Sequence, residues 1–226
     1  MRVSSSQADI EYLFMQTHNE AFAAIDRIKS KLNTLLRYQR RRWIFWDIFG
    51  ATAPYGHRYK RKPVLSAEAV NKLEQNFGVS LPEELKLFLT HIHGGGLGPG
   101  YGFYVYPDPK PLTRRRRPFP FNSAMAEQVI KARTSGTNRW ATLDMPDDDY
   151  YYDDDEDDDY PAGAGFIPLT HHGCGVFDVL VTAGEQRGLV WCCDMNWFPV
   201  ISREGKSMGL LAWYEDWLDR CLGNNK

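Results

Sequence analysis

The chain has 226 residues, 43% of them hydrophobic, with a net charge of -2. This length allows one substantial hydrophobic core. Crossing a bilayer takes about 20 consecutive apolar residues, and the sequence contains no apolar run of that length. The first residues lack the basic start, apolar stretch and small-residue cleavage site of a secretion signal, so we expect the protein to act in the cytoplasm without stable membrane insertion.

The charges are unevenly distributed along the chain. Residues 1–62 hold twelve Lys and Arg against five Asp and Glu, and four consecutive arginines stand at 114–117. Residues 147–160, here called the acidic tract, contain ten acidic side chains and four tyrosines, and the rest of the chain has 27 basic against 19 acidic residues. The chain is therefore basic with one acidic insertion.

Apolar residues recur at three- and four-residue steps from about Gln7 to Arg42, which predicts one long amphipathic helix. We expect its apolar face to pack on the rest of the protein or on a second copy, as a homodimer. The basic end of the helix and the aromatic residues at 43–49 leave attachment to a membrane surface as an alternative. The apolar face comprises Ile10, Leu13, Phe14, Ala21, Ile25, Ile28, Leu32, Leu35 and Leu36.

Three further helices are indicated in the first half of the chain and its centre. Ser66 is placed to cap a helix that stops at Gly78. Pro82 suits the first turn of the next helix, which the glycines at 94–96 terminate. A third helix is predicted from Asn122 to about Thr134.

Short runs of β-branched and aromatic residues predict strands at 101–107, 166–170, 176–182 and 188–195. A final helix is expected after an N-cap at Ser207. Helices at both ends around a meander of strands indicate an α+β protein with a small central, mostly antiparallel sheet flanked by helices and with an N-terminal helical arm.

Two parts are expected along the chain. Residues 1–62 would form the helical arm and a basic linker, and residues 63–226 the α+β domain. An insertion at about 108–161 would carry the arginine run and the acidic tract.

The order of these elements carries a resemblance that covers about Ser66 to Leu222. The matching residues are Leu81-Pro82, Gly94-Gly95, Phe166-Ile167-Pro168, Gly173, Gly175 and Gly188-Leu189-Val190-Trp191. In this order they resemble the SUKH superfamily (the Smi/Knr-like domain). One departure is His93, which stands where the family favours Asn.

The matched residues start helices, permit turns and fill a core, so the resemblance predicts a scaffold and no active site. The resemblance implies a binding function. Many bacterial members look like immunity proteins that neutralise a partner toxin, and fungal relatives regulate cell-wall synthesis. We therefore expect an immunity protein, with a regulatory scaffold or adaptor as the alternative.

A metal- or cysteine-dependent enzyme is the third interpretation. His91, His93, His171, His172 and Cys174 would gather if their two glycine-rich turns met, and His and Cys are good metal ligands. Their spacing matches no zinc site, and turn histidines are usually surface residues, so we expect no catalytic residue, no metal and no cofactor. The thiols expected to be free and buried are Cys174, Cys192, Cys193 and Cys221.

Three interpretations of the acidic tract compete. In the first it is a solvated loop. In the second it covers the chain's own arginine run or basic arm, and in the third it faces a basic partner such as a nuclease toxin. We expect that the protein itself binds no nucleic acid. Carboxylates steer such a partner, and tyrosines are preferred interface anchors, which favours the third interpretation. The expected contact residues are Asp147, Asp148, Asp149, Tyr150, Tyr151, Tyr152, Asp153, Asp154, Asp155, Glu156, Asp157, Asp158, Asp159 and Tyr160.

Overall fold

The computed structural model of the protein describes residues 7–40, 50–53, 56–104, 117–144 and 165–223, without the side chains of residues 7–15, 17, 39 and 40. Within these residues the helices are α1 (Gln7–Arg40), α2 (Ala67–Phe77), α3 (Glu83–His91), α4 (Ser123–Thr134) and α5 (Leu210–Leu222). The strands are β1 (Phe166–Gly173), β2 (Val176–Val181), β3 (Val190–Asp194) and β4 (Asn196–Pro199).

The strands form one antiparallel sheet in the order β1-β2-β3-β4. Val179 of β2 lies opposite Trp191 of β3, and Trp191 lies opposite Pro199 of β4. Together with the helices this is the α+β fold predicted from the sequence. The four-residue strand β4 was not predicted, and β1 continues three residues beyond the predicted end at Thr170.

Side chains alternate across the sheet and so separate two cores. On one face Leu180 and Val190 join the residues of α1, α2, α3 and α5 in the larger core. On the other face Val179 and Trp191 join an aromatic cluster with Phe119, Phe121 and residues of α4. The ring of Phe121 stacks on that of Trp191, with centroids 5.3 Å apart.

The helical arm packs on the body of the protein. Ile25, Ile28, Leu32 and Leu35 are buried in the larger core, where α1 lies against α5 and α3. Three ion pairs between α1 and α5 fix the register of the two helices. They are Arg27–Glu215 at 2.8 Å, Lys31–Glu215 at 2.9 Å and Lys31–Asp219 at 2.7 Å.

Part of the predicted arm lies outside the described residues. The side chains of Ile10 and Leu13 are not described, and neither are residues 41–49. A homodimer through α1 and attachment to a membrane surface therefore stay predictions. Within the described ranges, none of the helices has the length and hydropathy of a membrane span.

The predicted helix cap at Ser66 and the predicted stop at Gly78 are confirmed, and Asn122, predicted as the start of a helix, is the N-cap of α4. Ser66 accepts a hydrogen bond from the Ala69 amide through its hydroxyl, and Asn122 accepts one from the Met125 amide at 3.0 Å. Gly78 ends α2 with φ +65°, a left-handed conformation that glycine adopts without strain.

The predicted cap of the final helix is wrong. Ser207 forms a β-bridge with Ile201, and the helix begins only after Gly209. Gly209 has no side chain to cap the helix; instead the Glu84 carboxylate of α3 accepts a hydrogen bond from the Leu211 amide at 3.0 Å. A Cβ at Gly209 would lie 2.7 Å from Glu84 Oε2, so a glycine there makes room for the carboxylate.

The strand predicted at 101–107 is wrong for its described part, residues 101–104. Phe103 forms only isolated bridges, to Gly96 and to Thr170. The cause is Gly102, which has φ +120° and folds the chain back onto Gly96, where a Cβ on Gly102 would overlap the carbonyl oxygen. Residues 94–103 thus form a closed loop, here called the glycine loop.

Charging the arm should unfold the protein at a lower temperature. Ile28 is fully buried, so Ile28→Asp removes apolar burial and places a charge in the core, and we expect a loss of roughly 3–5 kcal/mol of unfolding free energy. Ser30→Asp, an exposed change two residues away on the same helix, is the control and should leave the melting temperature nearly unchanged. Equal melting of both variants and the wild type would contradict the packing of α1.

Candidate functional site

The two glycine-rich turns with the predicted histidines do meet. The Tyr101 amide donates to the His171 carbonyl oxygen at 2.9 Å, and a Cβ at Gly100 would lie 3.0 Å from His172 Nδ1. The histidines nevertheless point to different places, since β1 carries His171 and His172 while the others lie at the end of α3. Among the described residues no group of three or more His, Cys, Asp or Glu side chains is arranged to hold a metal ion.

His93 is a structural residue of the core, so its prediction as a surface residue is wrong. The side chain is 1% exposed. The Gly95 amide donates to Nδ1 at 3.1 Å, so Nε2 carries the hydrogen and donates to the Tyr214 hydroxyl at 2.9 Å, which donates in turn to the Leu97 carbonyl oxygen at 2.7 Å. Burial, aided by the charge of Arg61, lowers the pKa of His93 to about 3.

His91 and His171 are engaged with aromatic rings. His91 lies edge-on to Phe22 of α1, with centroids 5.3 Å apart, and His171 stacks on Phe177 at 4.5 Å. Both are partly buried. Their rings therefore serve packing between elements and are not directed toward a common centre.

A buried carboxylate organises the remaining histidine. Asp178 of β2 is 7% exposed, and its Oδ2 accepts a hydrogen bond from Trp213 Nε1 at 3.1 Å. His172 Nε2 lies 2.9 Å from the same oxygen and donates to it. Cys192 of β3 lies opposite Asp178 in the sheet. Donors from β1 and α5 thus hold one carboxylate of β2.

The cysteines of this region hold their protons. Burial, followed by the charge of Asp178, raises the pKa of Cys192 far above its usual range. Burial also raises the pKa of Cys221 to about 11. A thiol is nucleophilic as the thiolate, so neither residue is set up for covalent chemistry at neutral pH.

The prediction of buried free thiols is confirmed for Cys192 and Cys193 and wrong for Cys174. Cys174 lies at the exposed tip of the β1–β2 hairpin with φ +52°, the conformation that a two-residue hairpin turn imposes. Cys221 is partly buried at the end of α5.

The Asp178 cluster forms one end of a cleft of about 770 Å³ between α5 and the sheet, here called the α5 groove. Trp213 and Trp217 form its helical wall, and Phe198 and Val200 its sheet wall. The full lining comprises Pro99, Gly100, His172, Val176, Asp178, Cys192, Phe198, Val200, Trp213, Trp217, Arg220, Cys221 and Gly223. Such a concave, mainly apolar surface with a few fixed polar groups is typical of a binding site.

A second, smaller cleft of about 330 Å³ lies between α1, α3 and α5. Several of its charged residues are engaged in contacts between the helices: Arg27 pairs with Glu215, and Glu84 accepts a hydrogen bond from the start of α5. This cleft therefore belongs to the packing of the helices.

Sequence analysis missed the α5 groove. The available signals were a carboxylate within the apolar strand VFDVLV, which is Asp178, and the spacing of Trp213, Trp217 and Arg220 on one side of α5. The predicted contact residues 147–160 and Arg114–Arg116 lie outside the described residues, so their role stays a prediction.

Comparison with known proteins gave one result for the family. The model of the SMI1 / KNR4 family (SUKH-1) matches residues 64–220, which is more than two thirds of the chain. Neither the curated proteins nor the solved structures contained a match.

The buried histidines should make the fold sensitive to mild acid. Burial lowers the pKa of His57 to about 4 and that of His93 to about 3. The unfolded chain, where the pKa is about 6.5, therefore binds more protons, so stability is full above that pH and falls as the pH decreases toward the folded pKa. For His93 the expected loss at pH 5 is about 2 kcal/mol.

Urea unfolding at pH 7, 6 and 5 measures this slope. His93→Asn, which keeps an acceptor for the Gly95 amide, should be less stable than wild type at pH 7 but lose less between pH 7 and 5. Identical slopes for the two proteins would contradict a neutral, buried His93.

Proposed function

Because the chain belongs to the SMI1 / KNR4 family (SUKH-1), we propose that it is an immunity protein. In this proposal it binds a cognate bacterial toxin and neutralises it by covering a surface that the toxin needs. The family resemblance implies binding partners of this kind, and the matched residues are those that build the scaffold.

The observation that carries the proposal is the α5 groove. Its walls are apolar side chains of α5 and the sheet, and the Asp178 carboxylate in its lining is already bonded to His172 and Trp213. A carboxylate whose hydrogen bonds are directed within the protein serves to hold the surface in shape. With the thiols of Cys192 and Cys221 protonated, the groove suits contact with a partner better than catalysis, so we propose a binding protein and no enzyme.

The acidic tract supplies the expected chemistry of the partner. Its ten carboxylates would attract a basic surface such as the phosphate-binding groove of a nuclease, which is the toxin we propose. Its four tyrosines offer large side chains that bury much area at low entropic cost. We propose that the complex forms in the cytoplasm, where such a toxin would act on its own cell.

Co-expression tests this function. In this proposal a toxin domain is encoded next to this gene; it should arrest growth alone and be harmless together with this protein, and the two should co-purify. Failure to bind and protect would contradict immunity. Capture of a housekeeping protein instead would establish the alternative, a regulatory scaffold or adaptor.

Two variants of the acidic tract should affect binding differently. Removing its charge should slow association with the toxin, and the difference from wild type should shrink as salt rises, because exposed charges are screened over about 8–10 Å. Removing its aromatic anchors should mainly speed dissociation with little dependence on salt. The first variant changes Asp153, Asp154, Asp155, Asp157, Asp158 and Asp159 to Asn; the second changes Tyr150, Tyr151 and Tyr152 to Ala.

Surface plasmon resonance at several salt concentrations measures both rates. Rates equal to wild type in both variants would reduce the tract to a solvated loop. A melting temperature of both variants that is lower than that of wild type at low salt, but equal to it at high salt, would mean that the carboxylates pair with the arginine run of residues 114–117 within the same chain.

A further inference from the structure

Three residues that follow one another along α5 line the α5 groove. Trp213, Trp217 and Arg220 follow one another at steps of four and three residues, so they stand on one side of α5 and all three line the groove. The seven residue steps from Trp213 to Arg220 rise about 10 Å along the helix axis. That distance equals the length of about three residues of extended peptide.

The two ends of the groove differ in polarity. At the Trp213 end the Oδ2 atom of Asp178 already accepts hydrogen bonds from His172 and Trp213, so this oxygen is engaged within the protein. At the other end the Arg220 side chain is 58% exposed, and its Nε lies 3.1 Å from Asp216. The ion pair engages one edge of the guanidinium, which has five N–H donors in a planar fork.

The walls between these ends are apolar. Phe198 and Val200 on the sheet side and Trp217 and Cys221 of α5 line the cavity. Large aromatic and aliphatic side chains are the groups that gain most from burial against such walls. A charged side chain between these apolar walls would lose hydration.

We propose that the α5 groove binds an extended peptide segment of a protein partner, with a large apolar side chain between the walls and a carboxylate at the Arg220 end. This inference rests on the proposed function, since it names the contact by which the toxin is held. A basic side chain in place of the carboxylate would face Arg220, so the groove selects an acidic residue about two positions from the apolar anchor. The acidic tract would then contact basic residues of the partner and the groove an acidic one, and these two contacts of opposite charge fix the orientation of the partner.

Defined peptides test the inference without the toxin. The probe is acetyl-Gly-Trp-Gly-Asp-Gly-amide, and the controls replace its Asp by Lys or its Trp by Ala. Titration of the full chain is followed by the NMR signal of the Trp213 indole N–H, which lies at the end of the groove. We expect the Asp peptide to bind about threefold or more tightly than either control, the ratio that one exposed ion pair or a partly buried anchor gives.

Two variants locate the binding. Arg220→Gln should remove the preference for Asp over Lys. Val176→Asp places a charge at the partly buried rim of the groove and should weaken the Asp peptide about threefold or more. Val64→Asp, the same change at a residue that is 50% exposed and does not line the groove, is the matched control and should bind like wild type.

Equal binding of the three peptides, or no shift of the Trp213 signal up to about 5 mM peptide, would overturn the inference. So would an equal effect of Val64→Asp and Val176→Asp. The toxin separates this inference from the proposed function: if wild type and Val176→Asp bind the toxin alike, the groove is not the contact but immunity stands. If the Asp peptide binds selectively and no toxin is bound, immunity fails and the groove remains a peptide site.

Discussion

The carboxylate of Glu84 holds the start of α5, and the position of the groove depends on this contact. The first amides of a helix need acceptors, and the residue before α5 is Gly209, which has no side chain to provide one. Glu84 reaches from α3 to accept from Leu211 at 3.0 Å, and burial raises the pKa of its carboxyl. Because this cap comes from another helix, the start of α5 is ordered only when α3 is in place.

Once α5 is placed, its residues serve three neighbours. Tyr214 accepts a hydrogen bond from His93 and donates one to the Leu97 carbonyl oxygen in the glycine loop. Trp213 donates to Asp178 of the sheet. Glu215 forms an ion pair with Arg27 of α1. The same helix supplies Trp217 as a wall of the groove. A single helix thus joins the arm, the glycine loop and the sheet, and a partner that binds the groove contacts residues on this shared frame.

Local signals of the sequence were sufficient where a structure is determined locally. The cap at Ser66 and the stop at Gly78 follow from side-chain and backbone chemistry within three or four residues. The predicted cap at Ser207 was wrong because the acceptor for the first amides of α5 is Glu84, which is far away in the chain. The site needed the same long-range information: Asp178 and Trp213 are 35 residues apart, and neither shows alone that a groove forms between them.

Hydrogen exchange of the chain, measured by mass spectrometry with and without the toxin that we propose as its partner, tests the central claim most directly. Amides that a partner covers exchange more slowly. The account predicts slower exchange in the complex at residues 147–160 and at the two walls of the α5 groove, residues 198–200 and 217–223. A stable complex in which both regions exchange as in the free chain would contradict it.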